Sequence, residues 1–224
     1  MMMHLISSLK LFYAIYIYLK DPNQVDAVLR IGNTLLPKNS ENLNKNIYLN
    51  NTVFLEMIKS RYGIVKKGVE NENTKTESIK HHSLGKSYDD FIKKNNLNPD
   101  FYQGMTTKEI STDHEYIVFR IRQTHDFWHV VTGFTTSQED EAGLIAFYYA
   151  QLRTPLSALI VGLSFLHFLR KRPQDLPHLF NKITRGWQLG MAAKPLISYK
   201  WEENIDKSLF EVRSELGILQ QAEP

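Results

Sequence analysis

Helical spacing dominates the pattern of apolar and polar positions along the chain, and no alternating strand pattern of any length stands out. The pattern therefore predicts an all-α fold, a single-domain helical bundle running over residues 1–224. Helices are expected at 1–20, 21–37, 52–61, 88–95, 112–133, 137–153 and 156–172, and within 177–218, where a loop near 194–199 precedes a final helix at 207–216. Residues 38–52, 66–86 and 96–104 are predicted loops.

The first predicted helix, residues 1–20, has a stripe of apolar residues at helical spacing: Leu5, Leu9, Phe12, Tyr16 and Leu19. Its continuous apolar run from Leu11 to Leu19 is too short to span a bilayer. The segment has no early basic region and no small-residue cleavage site, which is not the pattern of a signal peptide. We expect this helix to dock on the core. The alternative is an amphipathic surface that meets a membrane or a second subunit, as in a homodimer.

Potential metal ligands are concentrated in the seventeen residues HDFWHVVTGFTTSQEDE, from His125 to Glu141. His125 and His129 are four residues apart and would lie on one face of a helix, continuing an apolar stripe. Gly133 is suited to end that helix in a left-handed conformation. A capping box, either Thr136 with Glu139 or Ser137 with Asp140, would begin the next one. His129 and Glu141 then lie level across the resulting hairpin, close enough to share an ion.

Two imidazoles and two carboxylates suit a divalent metal, with zinc first and iron, manganese or magnesium as alternatives. The proposed ligands are His125, Asp126, His129 and Glu141, and Asp126 is also a candidate proton acceptor. The competing interpretation is structural. Each histidine would then be a hydrogen-bonded core residue, Asp126 would pair with Arg122, and the acidic run would only stabilise a helix N-terminus. Because all four groups fall at matched heights around one bend, we favour the metal site on a helical hairpin.

Glu141 shares its predicted helix face with an aromatic and aliphatic strip: Ile145, Tyr148, Tyr149 and Leu152. Ordinary core packing would explain this strip. The functional alternative is the wall of an apolar channel that binds a substrate with a polar head and a long isoprenoid tail. The sequence leaves both interpretations open.

Composition narrows the function classes further. The net charge of +3 and the sequence pI near 8.9 come without a clustered basic face, so we expect no nucleic-acid partner, while contact with an anionic membrane surface stays open. The chain contains no cysteine, which excludes disulfides and thiolate metal ligands.

The motif from His125 to Glu141 resembles the signature of the fourth coenzyme Q (ubiquinone) biosynthesis protein family, H-D-x-x-H followed eleven residues later by E. The segments Gly143–Leu159 and Arg185–Ile218 are also similar to that family, and the resemblance is clearest over residues 85–218. It implies a metal-dependent protein of ubiquinone or related prenylquinone biosynthesis that binds a polyprenylated aromatic ring acid and replaces its carboxyl group by hydroxyl.

The same resemblance implies an alternative, a non-catalytic isoprenoid-lipid-binding scaffold that organises other quinone-biosynthesis proteins. The family's mitochondrial members carry an Arg-rich targeting segment, which this sequence lacks. We therefore expect a cytoplasmic protein, peripheral at the inner face of the membrane.

Overall fold

The computed structural model describes residues 2–22, 24–35, 51–63, 82–98 and 110–218. Within these ranges the chain forms α-helices and short 3₁₀ turns with no β-strand, which confirms the all-α prediction. The α-helices are α1 Met2–Lys20, α2 Val25–Leu35, α3 Thr52–Ser60, α4 Leu84–Lys94, α5 Asp113–Gln123, α6 His125–Thr132, α7 Gln138–Leu152, α8 Pro155–Lys171, α9 Leu176–Ala192 and α10 Leu209–Leu216. No described helix is both long and apolar enough to cross a membrane.

The described chain divides into two compact units. One contains α1, α2 and α7 to α9, and the other contains α3 to α6 and α10. The single domain expected from the sequence stays a prediction. The predicted loops at 38–52, 66–86 and 96–104 lie largely outside the described residues.

In the first unit, α1, α2 and α8 share a core of buried side chains: Ala14, Tyr18, Ala27, Ile31, Ile160 and Leu163. Two polar contacts, one buried and one partly buried, tie α1 to α8. The Tyr18 hydroxyl lies 2.8 Å from Ser164 Oγ, and His167 Nδ1–H donates to the Leu19 carbonyl over 2.9 Å. Ser164 Oγ also donates to the Ile160 carbonyl. The two contacts join the C-terminal end of α1 to the core.

The exposed face of α1 differs from the sequence prediction. Three residues of the predicted stripe, Leu9, Phe12 and Tyr16, are 61%, 68% and 61% exposed, whereas Leu19 packs against the core as expected. The helix docks instead through Ala14 and Tyr18, with the other apolar residues beside them. Since α1 is apolar around most of its circumference, its periodicity does not single out one face, and the small Ala14 allows the closest approach. The helix itself was predicted correctly.

Helices α7 and α9 approach each other closely along small residues. A Cβ added at Gly186 would lie 1.9 Å from the Gly143 carbonyl oxygen, and one at Gly190 would lie 2.6 Å from the Ala150 Cβ. The sequence has a four-spaced alanine stripe on α7 that ends at Ala150. The tightest contact, however, is between the two glycines.

The second unit has a fully buried cation at its centre. Arg120 on α5 has no exposed surface and forms an ion pair with Glu202, whose Oε2 lies 3.0 Å from Arg120 Nη2. Arg120 also donates to Gln123 Oε1 and to the Tyr199 carbonyl. These contacts join α5 to the segment that follows α9, and they satisfy a charge that would be costly to bury alone.

Helix boundaries differ from prediction at three places. The predicted helix 112–133 is two helices, because Thr124, whose hydroxyl donates to the Arg120 carbonyl, has φ −96° and ψ 1°. The second helix begins at Val25 rather than at Asp21. The fourth begins at Leu84, four residues before the predicted Tyr88, because Ser83 caps it by accepting from the Lys86 N–H.

Candidate metal centre

The two histidines of the motif lie in the first two turns of α6. His125 is its first residue and is half-buried, and His129, one turn later, is only 2% exposed. Gly133 ends the helix with φ 75°, which confirms the predicted left-handed stop. The sequence therefore places both imidazoles on one short helix with defined ends.

The imidazoles face each other. His125 Nε2 and His129 Nε2 are 3.2 Å apart, and the rings meet edge to face with centroids 4.7 Å apart. Only one of these nitrogens can carry the hydrogen shared between them, so the other presents a lone pair. Phe91 on α4 stacks on the His129 ring with centroids 5.2 Å apart and an interplanar angle of 24°. The His129 ring is thus covered on one face by an aromatic ring.

Glu141 stands in the first turn of α7 and is half-buried. Ser137 caps that helix by accepting from the Asp140 N–H, which is one of the two bonds of the predicted Ser137–Asp140 capping box. The Asp140 carboxylate turns back to accept from the Thr135 N–H at 2.9 Å and from the Thr135 hydroxyl. Lys182 on α9 lies 2.9 Å from its other oxygen. Burial raises the pKa of Asp140, but the contacts with Thr135 and Lys182 outweigh it and leave that pKa below its usual value.

One ligand atom from each of His125, His129 and Glu141 lies within 4.8 Å of the other two. This group offers two imidazole nitrogens and one carboxylate oxygen, a donor set that fits zinc, iron(II) or manganese. Asp126, the fourth predicted ligand, is half-buried beside His125 and is not part of that group. Its role as ligand or proton acceptor stays a prediction. Three of the four proposed ligands are therefore placed so that they can hold a metal ion.

Tyr18 lies in the electrostatic field of Glu141. Burial raises the pKa of Tyr18 to about 12, the hydrogen bond to Ser164 lowers it, and the negative charge of Glu141 raises it further. The phenol thus remains a neutral hydroxyl at all physiological pH values. No sequence pattern distinguishes Tyr18 from the other tyrosines of α1, Tyr13 and Tyr16.

The residues of the predicted tail-binding strip have different environments. Tyr148 and Leu152 are 4% and 2% exposed, as in a packed core. Ile145 is half-buried against the core of α1, α2 and α8. Tyr149 is half-buried and packs on Trp187 of α9, with ring centroids 5.7 Å apart. Core packing accounts for the first two residues, and a tail-binding role stays a prediction for all four.

The sequence does not identify Phe91, which stacks on His129, or Lys182, which pairs with Asp140 beside Glu141. Phe91 is 34 positions before His125, and Lys182 is 41 positions after Glu141. No local pattern links them to the motif. The apolar spacing of α4 predicted a helix there, but not which ring it would place against His129.

A family model for coenzyme Q (ubiquinone) biosynthesis protein Coq4 matches residues 4–222. Among curated relatives, the mitochondrial ubiquinone biosynthesis protein coq4 of Aspergillus fumigatus is 33% identical over 144 residues, which cover 63% of this chain and 48% of that protein. The protein of the same name in Yarrowia lipolytica is 32% identical, with 65% of this chain and 55% of that protein covered. The chain thus spans about half the length of these relatives. Since both are named mitochondrial, the expected cytoplasmic location is not confirmed.

A solved structure shares the fold. It is the crystal structure of a protein from Nostoc punctiforme PCC 73102, provisionally named a ubiquinone biosynthesis protein. It superposes with a TM-score of 0.75 at 23% sequence identity, covering 95% of this chain and 99% of that one. The helical architecture is therefore one that has been seen experimentally.

Proposed function

The chain belongs to the Coq4 family of ubiquinone biosynthesis proteins, and we propose that it is a metal-dependent enzyme acting on a polyprenylated aromatic ring acid. The reaction replaces the ring carboxyl group by hydroxyl. The observation that supports this most directly is the convergence of one ligand atom each from His125, His129 and Glu141 within 4.8 Å. Two histidines and one carboxylate leave coordination positions for a substrate group.

In this proposal His125, His129 and Glu141 hold the ion. When bound, a divalent metal supplies Lewis-acid stabilisation of the negative charge on the ring acid. Phe91 keeps the His129 ring in place and shields it from water. Asp126, next to His125, accepts a proton from the reacting ring or serves as a further ligand.

The reaction needs an oxidant, which we assign to molecular oxygen. The bond between the ring and the carboxyl carbon breaks, a ring carbon–oxygen bond forms, and the carboxyl group leaves as carbon dioxide. This is a two-electron oxidation of the ring acid. It balances if one dioxygen and one water are consumed and one hydrogen peroxide is released with the phenol.

The isoprenoid tail is assigned to the strip that begins beside Glu141. Ile145 and Tyr149 follow Glu141 at successive turns of α7, and both are half-buried, so apolar surface continues away from the carboxylate. A bound tail would extend this contact.

Aerobic turnover of the prenylated ring acid tests the proposal. Protein loaded with zinc, iron(II) or manganese is expected to form the decarboxylated, hydroxylated ring and carbon dioxide with at least one of these metals, and no product without oxygen. Glu141→Gln should remove the activity. His178→Ala, which alters an exposed histidine of α9, is the matched control and should retain it. Tight binding of the prenylated acid without product under all three metals would contradict the enzyme and favour the alternative, a lipid-binding scaffold for other quinone-biosynthesis proteins.

We also propose that α1 places the protein on a membrane surface. Its exposed face combines apolar and aromatic side chains with Lys10 and Lys20, and no acidic residue occurs in α1. Aromatic residues favour the interface, and lysines favour anionic headgroups. The protein should sediment with vesicles that contain phosphatidylserine. The double variant with Phe12→Ser and Lys10→Gln should sediment with them less. Equal recovery of both proteins with the vesicles would contradict the proposal, and a second copy of the chain on this face would appear as a dimer in solution.

A further inference from the structure

A closed hydrogen-bonded turn precedes Glu141. The Asp140 carboxylate accepts from the backbone N–H and the hydroxyl of Thr135, while the Ser137 hydroxyl accepts from the Asp140 N–H. Thr135 Oγ1 also accepts from the Ser137 N–H at 3.3 Å. Together these contacts fix the backbone of residues 135–140, and with it the position at which α7 begins.

Lys182 connects this turn to α9. Its Nζ lies 2.9 Å from Asp140 Oδ1, with the aspartate side chain 6% and the lysine side chain 21% exposed. Lys182 can reach Asp140 because the closest contact between α7 and α9, that of Gly143 with Gly186, lies one turn further along α9. A Cβ added at Gly143 would lie 2.8 Å from the Lys182 carbonyl oxygen. The ion pair and the glycine contact together hold the same side of α7 against α9.

The ion pair between Lys182 and Asp140 also affects the direction in which the next residue, Glu141, points from α7. Successive residues are about 100° apart around the axis, so an Asp140 held against α9 directs Glu141 to a different side of α7. A rotation of α7 that released Asp140 would swing the Glu141 carboxylate by the same angle. The direction of Glu141 is thus fixed by its neighbour's ion pair.

We propose that Lys182 and Asp140 are positioning residues for the metal centre. Their ion pair, with the Thr135 turn, fixes the rotation of α7 so that Glu141 reaches the ion held by His125 and His129. This inference rests on the proposed metal-binding function. It adds two residues, neither of which is a ligand, whose loss weakens metal binding through Glu141.

The test compares metal affinity in two variants that each remove a cation paired with an acidic residue in the first turn of α7. Lys182→Met breaks the pair with Asp140. Arg172→Met breaks the pairs that Arg172 makes with Glu139, 2.7 Å from Nη2, and with Asp175, 2.6 Å from Nε, and it leaves the Lys182–Asp140 pair in place. Zinc affinity is measured by competition with a chromophoric chelator at a temperature where circular dichroism shows both variants folded. The ligand field of bound cobalt(II), and amide hydrogen exchange that speeds over residues 135–141 more than over the other described helices, are readouts that a general loss of stability would not produce.

Lys182→Met is expected to weaken zinc binding by about 10- to 100-fold, as residues that orient metal ligands do. It should also change the cobalt(II) spectrum and speed exchange over residues 135–141. Lys182→Arg should restore most of the affinity, and Arg172→Met should bind as the wild type does. If wild-type protein binds zinc and Lys182→Met binds it equally tightly, with unchanged exchange, this inference is overturned and the proposed function is not. If the wild-type protein itself binds no metal, the proposed function fails and takes this inference with it.

Discussion

At the scale of single residues, the candidate centre depends on how each donor side chain is fixed. His129 is held by burial and by the Phe91 ring, and its Nε2 lies 3.2 Å from that of His125. The four-residue spacing made the pairing of the two histidines predictable. The stacking ring was not, because it depends on how α4 packs against α6.

The buried hydroxyl of Tyr18 predicts a dependence of stability on alkaline pH. The pKa of Tyr18 is raised to about 12, first by burial, whereas an unfolded tyrosine titrates near 10. Its contribution is therefore fully present below pH 10 and is lost as the pH rises through 12. Two pKa units correspond to about 2 to 3 kcal/mol.

Urea denaturation at pH values from 9 to 12 measures this effect. The free energy of unfolding of wild-type protein should fall more steeply than that of Tyr18→Phe. Tyr16→Phe, which changes a 61% exposed ring on the same helix, is the matched control and should follow the wild type. Parallel curves for wild type and Tyr18→Phe would show that the Tyr18 phenol is not buried as described.

At the scale of helices, capping residues were the most reliable sequence signals for where a helix begins and ends. The apolar pattern was the least reliable signal for which face of a helix is buried. Thr112 and Glu115 form a capping box where the sequence predicts a helix start at residue 112, and Gly133 and Gly217 end their helices in the left-handed conformation. Such signals are local, so the sequence contains them in full. The exposed stripe of α1 could not be predicted, because which apolar face is buried depends on α2 and α8. The interruption at Thr124 was missed because the apolar pattern continues through it.

The close contact of α7 and α9 predicts a large effect for one glycine and a small, opposite effect for another. Gly186→Ala would place a Cβ 1.9 Å from the Gly143 carbonyl oxygen, and backbone cannot move aside without separating the helices. We expect a loss of about 3 kcal/mol or more in the free energy of unfolding. Gly162→Ala on α8 has open space around the added Cβ and should gain up to about 1 kcal/mol, because alanine favours a helix interior.

Chemical denaturation of the two variants beside the wild type makes the comparison. Both changes add one methyl group to a helical glycine, so they differ only in what the methyl group meets. Equal stabilities for the two variants would contradict the close approach of α7 and α9.

At the scale of the whole molecule, the fold class and the family could be predicted from the sequence, whereas the grouping of the described helices could not. Helical periodicity predicted all-α architecture, and the motif from His125 to Glu141 indicated the family that the comparison over residues 4–222 shows. The grouping of the described helices into two units was not expected, since α1 and α2 join α7 to α9 through contacts distant in sequence. Such long-range packing leaves no local signal.

The metal content of the purified protein tests the central claim most directly. Protein equilibrated with zinc and freed of unbound metal by gel filtration should retain one equivalent by atomic emission. His125→Ala, His129→Ala and Glu141→Ala should each lose most of it, and His178→Ala should keep it. Wild-type protein without stoichiometric metal under zinc, iron(II) and manganese alike, or metal that persists in all three ligand variants, would contradict the account.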